Sequence, residues 1–271
     1  MLASYVLKTF LRLVGARVLA FLRYLGGLAF LLLDALWWMT IGPWTQRGRI
    51  RRDETLFQME RISVQSFGIV SLVVFFVGII LAFQMAYVLQ KLGVTEYVAD
   101  MTGVAMAREM APLLVAVVMT GFTGAAITAE IGTMVVAEEV TALETSALDP
   151  IRFLVVPRVL AAMVMMPFIS LVATYIGILG GFFVGTLLLD LEAEKFLNRT
   201  LNALKYKDIV TGLIKAEAFG ALIALIACLE GFHVTGGAEG VGRATTNSVV
   251  RSIIAVIVCD MAFTAFFFYF L

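Results

Sequence analysis

Histidine occurs once in this chain, at His233, and cysteine twice, at Cys228 and Cys259. So few soft ligands leave no metal cluster and no disulfide framework to build on. Both cysteines sit in apolar runs, where a thiol behaves as a small hydrophobe. Charge is scarce as well: 15% of the 271 residues are charged, against roughly a quarter in a soluble domain. The 20 basic and 20 acidic residues cancel, which argues against nucleic acid or a generally anionic partner. No Gly-Lys pair occurs anywhere, so the chain has no phosphate-binding loop of its own. The basic N-terminus (Lys8, Arg12, Arg17, Arg23) is followed by an apolar run without a small-residue cleavage signature. Asn198-Arg199-Thr200 matches a glycosylation acceptor, a pattern short enough to arise by chance.

What the chain does have is long apolar runs; 61% of it is hydrophobic. A helix needs about 20 apolar residues to cross a bilayer. Five segments qualify: 62–90, 110–129, 159–189, 209–232 and 252–271. The third is uncharged throughout and contains Pro167, a candidate kink. Residues 24–42 carry one charge, Asp34, and Trp37, Trp38 and Trp44 crowd their end. Tryptophan at the boundary and a basic flank upstream favour a helix lying in the membrane surface over a sixth span. The expected fold is therefore all-α and integral to the membrane. An N-terminal interfacial helix and basic connection (residues 1–61) precede a body of five spans (62–271). Nine of the twenty basic residues fall within residues 1–61, which puts the N-terminus in the cytoplasm.

Between the second and third spans, Val136, Val140, Leu143 and Ala147 form an apolar stripe at helical spacing. Glu138, Glu139 and Glu144 lie off that stripe, and Asp149-Pro150 closes it. The spacing predicts a short cytoplasmic helix over about 134–148. An acidic helix is repelled by anionic headgroups, so a basic protein partner suits it better. Gly177, Gly181 and Gly185 recur every four residues, a pattern for close helix–helix approach within the chain or across a homodimer. The glycine-rich stretch 235–252 reads as a flexible turn before the last span. Charges at membrane depth are costly, about 2.5–3.5 kcal/mol at a span centre. Those at issue are Arg108, Glu109, Glu130, Lys215, Glu217, Glu230 and Asp260, of which Lys215 is the most interior. Pro112 comes shortly after Arg108-Glu109, at a spacing that suits a helix start wetted by a cavity. No internal repeat is visible.

The motifs "REMAPLLVAVVMTG", "GAAITAEIGTM", "EEVTALETSALDPIRFLVVPRVLA" and "GVGRATTNSVV" closely resemble the MlaE/YrbE-type permeases of ABC lipid transporters, in order and spacing, from about Val64 onward. The resemblance implies a homodimer in the bacterial inner membrane, seated on cytoplasmic ABC ATPase subunits that bind ATP and magnesium, below a ring of MCE-domain proteins. The chain itself is then no enzyme and holds no cofactor. The implied cargo is phospholipid or a related lipid moved between the inner membrane and the outer envelope. Carried over by motif, Arg108, Glu109, Lys215 and Arg243 line the lipid site, while Glu138, Glu139, Leu143 and Glu144 seat the ATPase. One departure stands out. Where the family usually carries an arginine in "AGRVGAA", this chain has Gly121-Phe122-Thr123-Gly124, which leaves the lipid class open. Two other classes fit the residues: a proton-coupled carrier using Glu217, Glu230 or Asp260, and a structural membrane anchor of an MCE assembly.

Overall fold

The computed structural model describes residues 2–42 and 51–270, with side chains from Gly15 onward. The chain divides into two compact units, residues 1–50 and 51–271. The first holds α1 (Leu2–Thr40), with Trp37 and Trp38 edge to face at 4.8 Å. Trp44 lies outside the described residues. Residues Gly15–Thr40 are long and apolar enough to cross a membrane, so six helices among the described residues have that capacity where the sequence suggested five.

The second unit begins with α2 (Arg52–Lys91), whose first turns include Arg61. A nearly continuous helix comes next, made of α3 (Tyr97–Ala105), α4 (Ala111–Met119) and α5 (Ala125–Val136). These are joined through wider π-turns at Met106–Met110 and Thr120–Gly124. After a short α6 (Glu139–Thr145), α7 (Val156–Leu187) is entered through a third π-turn, Ile151–Val155. The order ends with α8 (Ala193–Ala203), α9 (Tyr206–Phe232) and α10 (Gly237–Phe270). No strand occurs among the described residues.

The α2–α7 contact organises this unit. Ile62, Ser66, Val70, Val74, Gly78, Ala82 and Ala86 are all buried at four-residue spacing, a ridge of mostly small side chains along one line of the helix. A β-carbon on Gly78 would run into the Gly177 carbonyl, and one on Gly180 into the Phe75 carbonyl. The two backbones therefore meet where no side chain fits between them. Gly181 faces Thr102 and Ala82, and Gly185 faces the Phe196 ring. The glycine stripe thus packs against α2, α3 and α8 of its own chain.

Three expectations need correction. The second membrane helix runs from Tyr97 to Val136 rather than 110–129, because Asp100, Glu109 and Glu130 are carried within it as ion pairs. Pro112 does not start it. The π-turn before it bonds the Ala111 N–H to the Met106 carbonyl five residues back, and the wider turn accommodates the ring that an α-helix would exclude. The expected helix over 134–148 is broken at Glu138, whose φ of 59° is left-handed, and α6 proper has only seven residues. Ala147 is also left-handed, at 57°. The third correction concerns the glycine-rich stretch: it is helical from Gly237, with Ala244, Ser248, Ser252 and Val256 buried every fourth residue against the bundle. The turn is confined to the residues around Gly236 and Gly237, with φ of 88° and 68°.

Candidate functional site

The Met106–Met110 π-turn carries Arg108 and Glu109. Adding a residue to one turn rotates the rest of the helix, and π-turns often mark functional positions for that reason. Here Glu109 reaches α9, where Lys215 is 1% exposed. The Lys215 ammonium donates to Glu109 Oε2 at 2.5 Å, Asp260 Oδ1 at 2.9 Å and Thr264 Oγ1 at 2.7 Å. Its three N–H donors therefore have three acceptors. Thr264 in turn donates to Glu109 Oε1 at 3.1 Å. Asp260 and Thr264 are one turn apart on α10, so α9, α10 and the π-turn close on one ammonium. One cation meets two carboxylates, and Glu109, about a third exposed, stands with Thr264 at the mouth.

Arg108 points to a neighbouring part of α9 and pairs with Asp208 at 3.6 Å, remaining 43% exposed. Asp208 is itself 11% exposed and accepts the Lys205 N–H at 3.0 Å, which caps the start of α9. Arg243 is not brought to this site. It lies near the start of α10, 67% exposed and 3.7 Å from Glu239. Seventeen residues separate it from Asp260 along the same helix, about 25 Å at 1.5 Å per residue.

Two further ionic layers bracket the lysine. At one end, Glu130 of α5 holds Arg158 and Arg61 at 2.7 Å each. Arg158 is 2% exposed and also donates to the Leu154 carbonyl. At the other end, Glu96 pairs with Lys195 and Arg199 of α8, and Asp100 with Arg199 at 3.2 Å. Hydrogen bonds from Lys195 and Arg199 hold the Glu96 carboxyl below its usual range. Asp100 and Glu130 are thirty residues apart, about 45 Å along the helix, which matches a bilayer with its headgroups at about 40–45 Å. Glu109 lies about 14 Å inward from Asp100, below a headgroup layer of roughly 7 Å. The Lys215 cluster is thus a polar site within the hydrocarbon, and the other two layers mark its borders.

Other charges expected at depth are also paired: Glu230 with Arg251. Glu217 is exposed on α9. Phe122, in the second π-turn, is 40% exposed and shares a shallow crevice with Arg61, Gln58 and Gln65. On α6, Val140 and Leu143 are half-buried, while Glu138, Glu139 and Glu144 are exposed. No group that could hold a metal ion occurs among the described residues. Sequence reading singled out Lys215 and Glu109 but did not join Asp260, Thr264 and Asp208 to them. The four-residue spacing of Asp260 and Thr264 was the available signal; the meeting of three helices was not.

The family model described as Permease MlaE matches residues 55–266. A probable ABC transporter permease protein of Rickettsia prowazekii is 39% identical over 211 residues, covering 78% of this chain and 82% of its own length. The chloroplastic protein TRIGALACTOSYLDIACYLGLYCEROL 1 of Arabidopsis thaliana is 33% identical over 222 residues, 82% of this chain and 63% of its own. An intermembrane phospholipid transport system permease protein, MlaE of Haemophilus influenzae, is 32% identical over 266 residues, covering 97% of this chain and 99% of its own. With its multiple apolar helices and matched body, the chain is a multi-pass membrane permease belonging to the MlaE family.

Proposed function

We propose that this chain is the membrane half of a homodimeric ABC transporter that carries phospholipid between the inner membrane and the outer envelope. Separate cytoplasmic subunits bind ATP and magnesium and supply the energy, and an MCE-domain ring continues the path beyond the membrane. Family membership supports the class, as does the Haemophilus relative named for intermembrane phospholipid transport. The observation that carries the reading is the Lys215 cluster, a charged site at hydrocarbon depth with an open mouth. Such a site suits a ligand that is itself polar at one end and apolar at the other.

The charges define how a headgroup meets it. All three Lys215 donors are engaged, so a phosphate gains the ammonium by displacing Glu109 or Thr264 at the mouth. Arg108, half-exposed and held at 3.6 Å, offers the phosphate a planar fork at smaller cost. The freed carboxylate then suits the ammonium of a zwitterionic headgroup. On the cytoplasmic side, assigned from the basic N-terminal residues, exposed Glu138, Glu139 and Glu144 meet a basic ATPase surface while Leu143 seats the helix. In this reading α1 lies in the cytoplasmic membrane surface.

The test is purification of the intact complex from its host in mild detergent. Bound phospholipid is quantified for the wild type, for Arg108→Met with Lys215→Met, and for the triple reversal of Glu138, Glu139 and Glu144 to lysine. Lipid is expected to be lost from the first variant with the ATPase retained, and the ATPase to be lost from the second. Retention of both components in both variants sinks the proposal.

A further inference from the structure

The bend between α5 and α6 is made by a residue that does not favour it. Glu138 has φ 59° and ψ 13°, just past the end of α5, where a left-handed residue is usually glycine. Ala147, at 57°, takes the same position after α6, and the Leu148 N–H closes that end on the Leu143 carbonyl. Left-handed backbone is disfavoured for both residue types, and both are strong helix formers. The apolar residues side with propensity rather than with the bend. Val136, Val140, Leu143 and Ala147 keep helical spacing straight through Glu138.

Packing within the described residues does little to offset this. α6 buries no residue, Val140 and Leu143 are only half-buried, and its main contacts are with α5 itself. The Ala142 N–H reaches the Glu138 carbonyl. The N–H groups of Glu139, Val140 and Thr141 therefore stand ahead of the first turn, with no helical acceptor and no side-chain cap. Carried straight on, α5 would give them the carbonyls of Val135, Val136 and Ala137. The way back to α7 does not force the bend either. Glu130 pairs with Arg158, and Val136 and Ile151 each lie about 9–10 Å along the chain's helices from that pair, at similar depth. α5 continued to Glu144 projects about 12 Å further. Residues 145–150 extend to about 20 Å, enough for the return and a sideways step of more than one helix spacing.

Strained backbone persists where something outside the segment holds it. We propose that residues 134–148 are a two-state element, exchanging between the bent form and one continuous helix, and that the cytoplasmic ATPase subunit binds the bent form. The partner rests on the transport reading; the two states do not. Docking then shifts a balance that already exists in the free chain. Glu138 acts in this through its backbone, as the pivot, and Ala147 as the second stop, so that α6 turns its half-buried Val140 and Leu143 toward the partner only when bent.

The test uses the full-length chain in nanodiscs and the ATPase subunit of its own complex. Glu138→Gly and Glu138→Ala remove the same carboxylate, and only glycine relieves the left-handed backbone. Glycine also weakens the straight helix, so the bent form gains about tenfold or more over the alanine variant. The ATPase is therefore expected to bind Glu138→Gly about tenfold more tightly than Glu138→Ala, because the competent fraction of the chain rises. Ala147→Gly, which changes no charge, is expected to bind more tightly than the wild type. In hydrogen exchange on the chain alone, the amides of residues 139–141 are protected in the wild type and lose that protection in Glu138→Gly. Equal affinity of the two Glu138 variants overturns the proposal, and so does exchange at 139–141 as fast in the wild type as in the glycine variant. An ATPase that binds no form of the chain, wild type included, overturns the transport reading and the docking half of this one. The exchange rates still decide whether the helix has two states.

Discussion

Replacing Lys215 with methionine leaves an unbranched side chain one heavy atom shorter and removes the ammonium with its three hydrogen bonds. The ammonium bridges Glu109 at 2.5 Å and Asp260 at 2.9 Å while being 1% exposed. Its loss leaves two carboxylates facing each other at hydrocarbon depth with nothing between them. Removing one partner of a buried ion pair costs about 3–5 kcal/mol, because the remaining charge stays buried and uncompensated. Glu109 is about a third exposed and recovers some hydration, so the lower end, about 3 kcal/mol, is expected. For a chain of this size that lowers the melting temperature by roughly 6–12 °C. Thermal unfolding in detergent, monitored by the helical circular-dichroism band, reads it directly. A sharper demand falls on the triple variant Lys215→Met, Glu109→Gln, Asp260→Asn. With all three charges gone, most of the lost stability returns, since neutral replacement of a buried ionic group is often nearly free. A single variant that melts within about 1 kcal/mol of the wild type, or a triple variant as weak as the single, refutes this. Lys215 would then matter through packing alone.

Glu130→Gln removes the carboxylate shared by Arg61 and Arg158. With Arg158 2% exposed, a loss of about 3 kcal/mol is expected in the same melting assay. Gly78→Ala drives a methyl into the Gly177 carbonyl and costs about 1–3 kcal/mol. Gly68→Ala meets nothing and is neutral or stabilises by up to about 1 kcal/mol. The Glu96 carboxyl is held below its usual range by hydrogen bonds from Lys195 and Arg199. Its pairing therefore supports the α3–α8 contact above the ordinary carboxylate range and is lost as pH falls through the depressed value. Hydrogen exchange in residues 193–203 should accelerate on that acid side, and Glu96→Gln should make the exchange fast at neutral pH too.

Helices were legible where apolar runs were unbroken. The stretch 62–90 lies inside α2, and 159–189 covers most of α7, because hydropathy over a window needs no knowledge of neighbours. Boundaries failed where the second span met charges. A run broken by Arg108-Glu109 or Glu130 looks finished, yet the helix continues through both, since Lys215 and Arg158 wait on other helices. The glycines of 235–243 mislead in the same way. Their entropic cost in a helix is visible locally, while the buried ridge of Ala244, Ser248, Ser252 and Val256 that repays it appears only against α5 and α9. Left-handed Glu138 was not readable at all, since glutamate carries no preference for that conformation.

Charges at the site pose the same difficulty. One charge in a span is as compatible with snorkelling as with function, and sequence alone ranks such residues only by depth. Partnership separates them. Glu96, Asp100, Glu130 and Arg158 pair near the two borders about 45 Å apart along α3–α5, where the bilayer with its headgroups ends and ion pairs cost little. Lys215 pairs well inside that interval, beyond easy reach of a headgroup, and it is one cation for two acids, where the border groups have at least as many cations as acids. A purely structural tie between three helices is better made with apolar side chains at that depth. An ammonium with an excess of acids, one of them partly exposed, is instead an arrangement that an incoming polar group can exchange into. That difference in depth and charge count, rather than the presence of charge, sets the Lys215 cluster apart from the ionic layers on either side of it.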